Sequence, residues 1–475
     1  MNPRIIQGGM GAGVSGWPLA RCVSRMGQLG VVSGTALDVI LARCLQRGDP
    51  CGAVRRAMKH FPDQTTVQCI LDRYFIEGGK NDSVSYTPVP IHQHPLGADS
   101  IALIVVANFV EVFLAKEGHS GLVGVNYLYK IQLPMLASIF GAMLAGVDYI
   151  LIGAGIPVSV PEILTQLERG QVAKLSLDVE EGLRGEVFSC EFDPRAFVSD
   201  SFFPLKRPKF LPIVSSALLA TMLKRRAKDR VDGFVVEGPT AGGHNAPPRG
   251  NTRRNQKGEP IYGERDELDL EKMRSLGLPF WLAGSQATRE CLREALEMGA
   301  EGVQVGTAFA FCEESGIEAE IKAKVLRKCQ SGDVDLRTDP VASPTGFPFK
   351  IVSLEGSGSS SSVYASRPRR CDLGFLRHAY RKSTGVIGFR CPAEPVNQYL
   401  KKDGKDSETH GRKCICNGLM ATIGLGQIQT NHYQEPAILT AGDDVKELAR
   451  FFSNGRTSYS ASDVIEQLLG EKGIR

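Results

Sequence analysis

Residues 231–244, VDGFVVEGPTAGGH, run from a short apolar stretch into a glycine-rich turn that carries one histidine, His244. An imidazole in such a turn can move a proton or bind an anionic group. Phe234, Val235 and Val236 suit a strand covered on both faces. Gly238, Gly242 and Gly243 let main-chain N–H groups approach a ligand closely. Taken alone, a tight loop with a surface histidine explains the stretch equally well. The same strand-then-glycine form recurs, however, at residues 280–284, FWLAG, and 302–307, GVQVGT. A helix start after each would offer unpaired N–H groups and the positive end of its dipole. Ala283-Gly284-Ser285 and Gln304-Val305-Gly306-Thr307 would together cradle one phosphate, with Ser285 and Thr307 adding hydroxyl donors. The alternative is that these glycines make tight turns and nothing more.

A second group of reactive side chains lies late in the chain. Cys371, Cys391, Cys414 and Cys416 fall in a basic region with Arg367, Arg369, Arg370, Arg412 and Lys413. A C-x-C pair with two distant cysteines can close a four-thiolate zinc or iron–sulfur site. The spacing follows no standard metal pattern, and scattered or buried reduced thiols are the simpler reading. The basic surroundings would lower thiol pKa values, which also admits redox chemistry. His92 and His94 form an H-x-H pair in a Pro- and Gly-rich stretch, read as solvated loop ahead of a metal pair.

Eight short apolar runs, centred on Ile5, Val31, Val123, Ile150, Ile213, Val235, Trp281 and Val303, alternate with helical patterns. The alternation predicts an α/β fold, a TIM (β/α)8 barrel. A doubly wound open sheet is the runner-up, since no convincing G-x-G-x-x-G with a downstream acid is present. In a barrel, chemistry sits at the strand C-termini, where Met10, Asn126, Gly153, His244, Gly284 and Thr307 fall. Residues 217–228 read as a basic-ended helix, and Ser285 as the cap of the helix that follows it. Excursions interrupt the pattern at about 72–98, 178–209 and 247–269. The second follows a further short strand at 172–177, and the third is long enough for a lid or substrate loop. Residues 1–350 are thus assigned to the barrel. Residues 351–475 form a C-terminal extension that opens on the low-complexity link EGSGSSSS and ends in amphipathic helices at 443–452 and 461–469.

The chain has 475 residues, 42% of them hydrophobic, and a net charge of only +4, a balance that points away from nucleic acid or an anionic membrane as partner. No apolar stretch is expected to reach the roughly 20 residues that span a bilayer, and no secretory leader is expected, since the first strand is read within a few residues of Met1. Twelve cysteines in such a chain are expected to be reduced, and the expected location is the cytoplasm.

Taken in order, residues 6–11 (IQGGMG), 124–126 (GVN), 241–244 (AGGH), 282–284 (LAG) and 302–307 (GVQVGT) resemble the nitronate monooxygenase family. The resemblance covers residues 4 to about 350, and the ordered set carries it. It implies a TIM barrel that binds FMN without covalent attachment. Gly9, Met10 and Gly11 would run beside the flavin ring, Asn126 would hydrogen-bond it, and Lys174 is the candidate for the family's flavin-proximal lysine. Gly243, Gly284, Ser285, Gly306 and Thr307 would hold the phosphate end, with Gly242, Ala283 and Gln304 completing the set. His244 would be the active-site histidine. The implied reaction is oxidation of an alkyl nitronate by O₂ to a carbonyl compound and nitrite. The partners are then a small molecule and O₂, and a homo-oligomeric state stays open. The chain departs from the family where Thr240 replaces a usual glutamate after Pro239, and where Asn245-Ala246-Pro247-Pro248 follows. Its insertions resemble a longer branch, some of whose members sit near lipid or polyketide biosynthesis enzymes. An NAD(P)H-dependent flavin enoyl reductase is therefore the second reading, and a non-catalytic flavin-binding partner protein the third.

Overall fold

The eight apolar runs form eight parallel strands in the computed structural model, which describes residues 2–227, 230–250, 253–429, 432–453 and 455–470. They are β1 (Ile5–Gln7), β2 (Gly30–Ser33), β3 (Val123–Leu128), β4 (Tyr149–Gly153), β5 (Lys209–Val214), β6 (Phe234–Glu237), β7 (Phe280–Ala283) and β8 (Gly302–Val305). They pair in the order β1-β8-β7-β6-β5-β4-β3-β2. Leu29 closes the ring. Its N–H donates to the Ile5 carbonyl at 3.1 Å and its carbonyl accepts from the Gln7 N–H at 2.9 Å. Every strand centre expected from sequence lies in one of these strands, and closure removes the open-sheet alternative. Alternate side chains face opposite sides of each strand. Ile6, Val31, Leu151, Leu211, Val235 and Trp281 pack together in the barrel interior, and Ile5, Val32, Ile150, Phe234 and Val303 pack with the surrounding helices.

One helix corrects the sequence expectation. Ala98–Lys116 has 19 residues and a mean hydropathy of 1.9, long and apolar enough to cross a membrane. In this fold it lies against helices Trp17–Arg25, Leu37–Gln46 and Met135–Leu144, so its apolar surface is covered on several sides. The approach is close: a Cβ on Gly141 would stand 2.2 Å from the Val105 carbonyl oxygen. Helix Gln64–Tyr74, capped by Asp63, runs into the first excursion and has no counterpart in the sequence reading. His92 and His94 serve separate contacts. His92 Nε2 meets Asp38 Oδ2 at 2.9 Å, and His94 Nε2 meets the Ser189 carbonyl at 3.0 Å. The run at 172–177 forms strand Ala173–Ser176, which pairs antiparallel with Ser189–Phe192 outside the barrel. The helix expected at 217–228 runs Ala217–Arg226. Lys228, residues 251–252 of the third excursion and residues 471–475 of the extension lie outside the described residues.

The chain after residue 350 wraps the barrel mouth and flank. The EGSGSSSS stretch is an ordered turn rather than a flexible link. Ser357 is buried and donates to the Leu354 carbonyl at 2.7 Å, and Gly358 N–H donates to the Ala437 carbonyl at 2.8 Å. Hairpin His378–Arg381/Ile387–Arg390 adds Val179–Glu180 of the second excursion as a third strand. Residues 443–451 form a 3₁₀ helix and Ala461–Leu469 an α-helix capped by Ser460. Leu448, Tyr459 and Leu468 join the same apolar cluster as the barrel helices, and Tyr459 Oη donates to the Ala308 carbonyl at 2.8 Å. Leu448→Ala should lower stability by about 2–5 kcal/mol. Circular dichroism and tryptophan fluorescence should then give one denaturation midpoint, whereas two midpoints would mean that the extension unfolds separately.

Candidate active site

A cavity of about 260 Å³ opens at the C-terminal ends of the barrel strands. Gly9, Met10 and Gly11 after β1, Asn126 of β3, and Gly242, Gly243 and His244 after β6 all line it. So do Ala283, Gly284 and Ser285 at the end of β7, and Gln304, Gly306 and Thr307 at the end of β8. Lys174 does not. It sits on the outer hairpin with its side chain 56% exposed and paired to Glu191 at 2.9 Å. The strand that carries it leaves the barrel, so the lysine assignment is withdrawn.

The β1 turn passes so close to β3 that a Cβ on Gly9 would lie 2.4 Å from Asn126 Cβ. Asn126 Nδ2 donates to the Gly9 carbonyl at 2.9 Å, while its Oδ1 is buried without a hydrogen-bond partner. Gln304 Oε1 and Ser285 Oγ are in the same state. Buried polar atoms without partners are costly and rare. Three on one cavity fit a ligand that brings its own polar groups. FMN presents a ring N–H to amide acceptors and phosphate oxygens to a hydroxyl, so the residues present suit it.

The turn after β7 takes a conformation that only its sequence permits easily. Gly284 has φ 98° and Ser285 φ 50°, both left-handed. Ser285 is therefore not the cap of the next helix. Thr288 is, its Oγ1 accepting from the Cys291 N–H at 3.1 Å. The helix after β8 is a single turn, Thr307–Ala310.

Residues 440–444 cross the cavity rim as a strap. Gly442 N–H donates to Thr307 Oγ1 at 2.8 Å, and the Thr307 hydroxyl hydrogen-bonds the Asp444 carboxylate. Gly243 N–H donates to Thr440 Oγ1 at 2.8 Å, and Asp443 N–H donates to the Thr240 carbonyl at 2.9 Å. The Thr307 hydroxyl and the Gly243 N–H, both expected to serve a phosphate, are thus engaged by the strap. Ser285 Oγ and the glycine backbones remain for that task. Phe349, Ile415, Cys416 and Leu419 roof the cavity, a contribution that no barrel motif announces.

His244 Nε2 meets Ser343 Oγ at 2.6 Å, and its ring lies 4.7 Å from that of Phe349. Burial pushes its pKa down to about 4, so the ring is neutral at pH 7. Glu237, the last residue of β6, lines the same cavity, and burial pushes its carboxyl up to about 7. Sequence reasoning passed over Glu237. The available signal was a carboxylate placed directly after a buried apolar run, at the barrel's reactive end. Cys371, Cys391, Cys414 and Cys416 converge on a second, smaller cavity that shares Leu376, Ile415 and Cys416 with the first. As free thiols they are not drawn to one point: among the described residues no three of His, Cys, Asp or Glu are placed to hold a metal ion.

Residues 160–338 match the family model described as nitronate monooxygenase. A probable nitronate monooxygenase of Bacillus subtilis (strain 168) is 34% identical over 119 residues. That stretch is 25% of this chain and spans only 31% of the relative. Among solved structures, FabK from Thermotoga maritima superposes with a TM-score of 0.50 over 99% of this chain and 92% of that one, at 14% identity, which agrees with the barrel fold. A nitroalkane oxidase from Streptomyces ansochromogenes gives a TM-score of 0.47 at 16% identity, over 99% of this chain and 95% of that one. Strands β5 to β8, Glu237, His244 and the glycine turns after β6, β7 and β8 all lie inside the stretch that matches the nitronate monooxygenase model, and the β1 turn and Asn126 lie outside it.

Proposed function

We propose that this chain is an FMN-dependent oxidoreductase that oxidises alkyl nitronates with O₂ to a carbonyl compound and nitrite. One observation carries the reading. A single cavity gathers the β1 turn, Asn126, the late glycine turns and His244, and the unpartnered Asn126 Oδ1, Gln304 Oε1 and Ser285 Oγ face it. Bound flavin supplies the electron transfer and the reaction with O₂. The protein's part is to bind, orient and handle protons. Asn126 and Gln304 offer acceptors at the ring end. Ser285, with the left-handed backbone at Gly284, suits the phosphate end. His244 is neutral and held by Ser343, so it serves as a hydrogen-bond partner for the nitro group rather than as a strong base. Glu237, near 7, is the group matched to proton transfer at neutral pH.

The purified protein should be yellow and release FMN on denaturation, and a colourless protein that refuses added FMN would remove the proposal. Under anaerobic conditions a nitronate should reduce the flavin faster than NADPH does. Fast reduction by NADPH alone would favour the enoyl reductase instead.

The two titratable groups separate by substrate form. A nitronate has already lost its carbon-bound proton, and the neutral nitroalkane has not. Glu237→Gln should therefore lower turnover of the nitroalkane by about tenfold or more and leave that of the nitronate within about twofold. The basic form of Glu237 accumulates as pH rises through about 7, so the nitroalkane rate should rise over that interval in the wild type and stay flat in the variant. His244→Asn should keep flavin and lose at least about tenfold in turnover on both forms. Unchanged turnover would make the histidine structural.

A further inference from the structure

Ser343 and Thr345 lie beyond the stretch that matches the family model, yet they reach the candidate active site through His244. The segment that carries them folds back over the β6 turn. Asn245 N–H donates to the Pro348 carbonyl at 2.9 Å and Lys350 N–H to the Gly243 carbonyl at 3.0 Å, so His244 and Phe349 stand opposite each other. The turn before Phe349 is pinned from three sides. Asp339 Oδ1 accepts the N–H groups of Val341 and Ala342, Arg412 donates to the Val341 and Ser343 carbonyls, and His378 Nε2 donates to the Pro344 carbonyl. Ser343 is fully buried, while Thr345 is half-buried and lines a second cavity of about 610 Å³. His244 Nε2, Ser343 Oγ and Thr345 Oγ1 thus form a continuous row with steps of 2.6 and 2.9 Å. We propose that Ser343 and Thr345 are positioning residues that fix His244 as the Nδ1–H tautomer, a donor that selects an anionic oxygen of the substrate. The proposal rests on the role given to His244 above and deepens it.

Counting acceptors sets the direction of the row. Ser343 Oγ takes the Thr345 N–H at 3.2 Å, and Thr345 Oγ1 takes the Phe347 N–H at 3.3 Å. Two hydroxyl protons then need acceptors. With Thr345 donating to Ser343 Oγ and Ser343 donating to His244 Nε2, both are satisfied inside the chain. With the row reversed, the Thr345 proton is left to solvent in the second cavity. Adjoining hydroxyls also polarise one another, so a row that points one way is favoured over one that is broken in the middle. Nε2 is then the accepting nitrogen, and the proton sits on Nδ1.

Among the described residues no protein group hydrogen-bonds Nδ1, which leaves it for an occupant of the main cavity. A neutral ring that donates from Nδ1 favours an acceptor, and a charged acceptor most. A nitronate carries its negative charge on the nitro oxygens, whereas the neutral nitroalkane does not. The row therefore biases the site toward the nitronate without placing a charge on the histidine, in keeping with the desolvation that holds the ring neutral.

Nitrogen NMR of the full chain, with ¹⁵N-labelled histidine and His244 identified by difference from His244→Asn, reads the tautomer directly. The wild type should be protonated at Nδ1, and Ser343→Ala should shift population to Nε2–H. Nitrate, planar and anionic like a nitronate, serves as an unreactive probe, its binding followed through the flavin spectrum. Its affinity should fall by about tenfold or more in Ser343→Ala. Thr345→Val should move both readouts in the same direction, and Thr345→Ser, which restores the hydroxyl, should match the wild type. If Ser343→Ala fails to fold, Thr345→Val at its half-buried position decides the matter. A wild-type ring protonated at Nε2 would overturn the proposal, and so would variants whose tautomer or nitrate affinity equals that of the wild type. The tautomer is read with or without FMN. A chain that refuses flavin would thus remove the function proposed above and still decide this point.

Discussion

The Thr307 hydroxyl, held between the Gly442 N–H and the Asp444 carboxylate, is the contact on which the cavity's shape depends. Glycine-rich βα turns have many conformations open to them, and ordering them costs entropy. The strap offsets that cost at three places: at Thr307 after β8, and at Thr240 and Gly243 after β6. A single bond of this kind contributes about 1 kcal/mol. Three on one short segment lock neighbouring turns into a common geometry. The strap is itself anchored below, where Lys350 pairs with Asp443 and the Val352 N–H donates to the Leu439 carbonyl at 2.9 Å. At Thr240 the strap bonds the main-chain carbonyl, a contact that does not depend on the side chain there.

Enclosure by the roof sets the electrostatics. Desolvation pushes His244 down and Glu237 up, and in both cases it is the charged form that suffers. The outcome is a pair of groups on one cavity with well separated pKa values, one neutral throughout the physiological range and one titrating within it. Such a separation is how two side chains on one strand end and its turn take different parts in a reaction.

The barrel was legible because parallel strands buried on both faces read as short apolar runs, and all eight were such runs. The turns at Gly9, Gly242 and Gly284 were legible because close approach of neighbouring atoms demands glycine, as the Gly9–Asn126 contact illustrates. Lys174 failed for a local reason. A short apolar run cannot tell whether it pairs within the barrel or in an outer hairpin. Ser285 failed as a cap because the left-handed turn postpones the helix to Thr288. Glu237 was overlooked because its interest comes from burial, which a sequence pattern does not state. The strap was invisible for a deeper reason: Thr440 and Gly442 meet Gly243 and Thr307 across more than a hundred residues, with no periodicity linking them. Ala98–Lys116 shows the converse, a membrane-like composition explained by neighbours on several sides.

The strap's place in the chain also sets a timetable. Residues 440–444 leave the ribosome well after β8, and at ordinary elongation rates the interval is on the order of ten seconds. Until then the rim is incomplete and the roof's apolar lining is exposed, so a half-made chain offers a sticky open bowl rather than a pocket. A nascent chain stalled before the strap thus holds apolar surface open to solvent, the condition under which partly made chains aggregate.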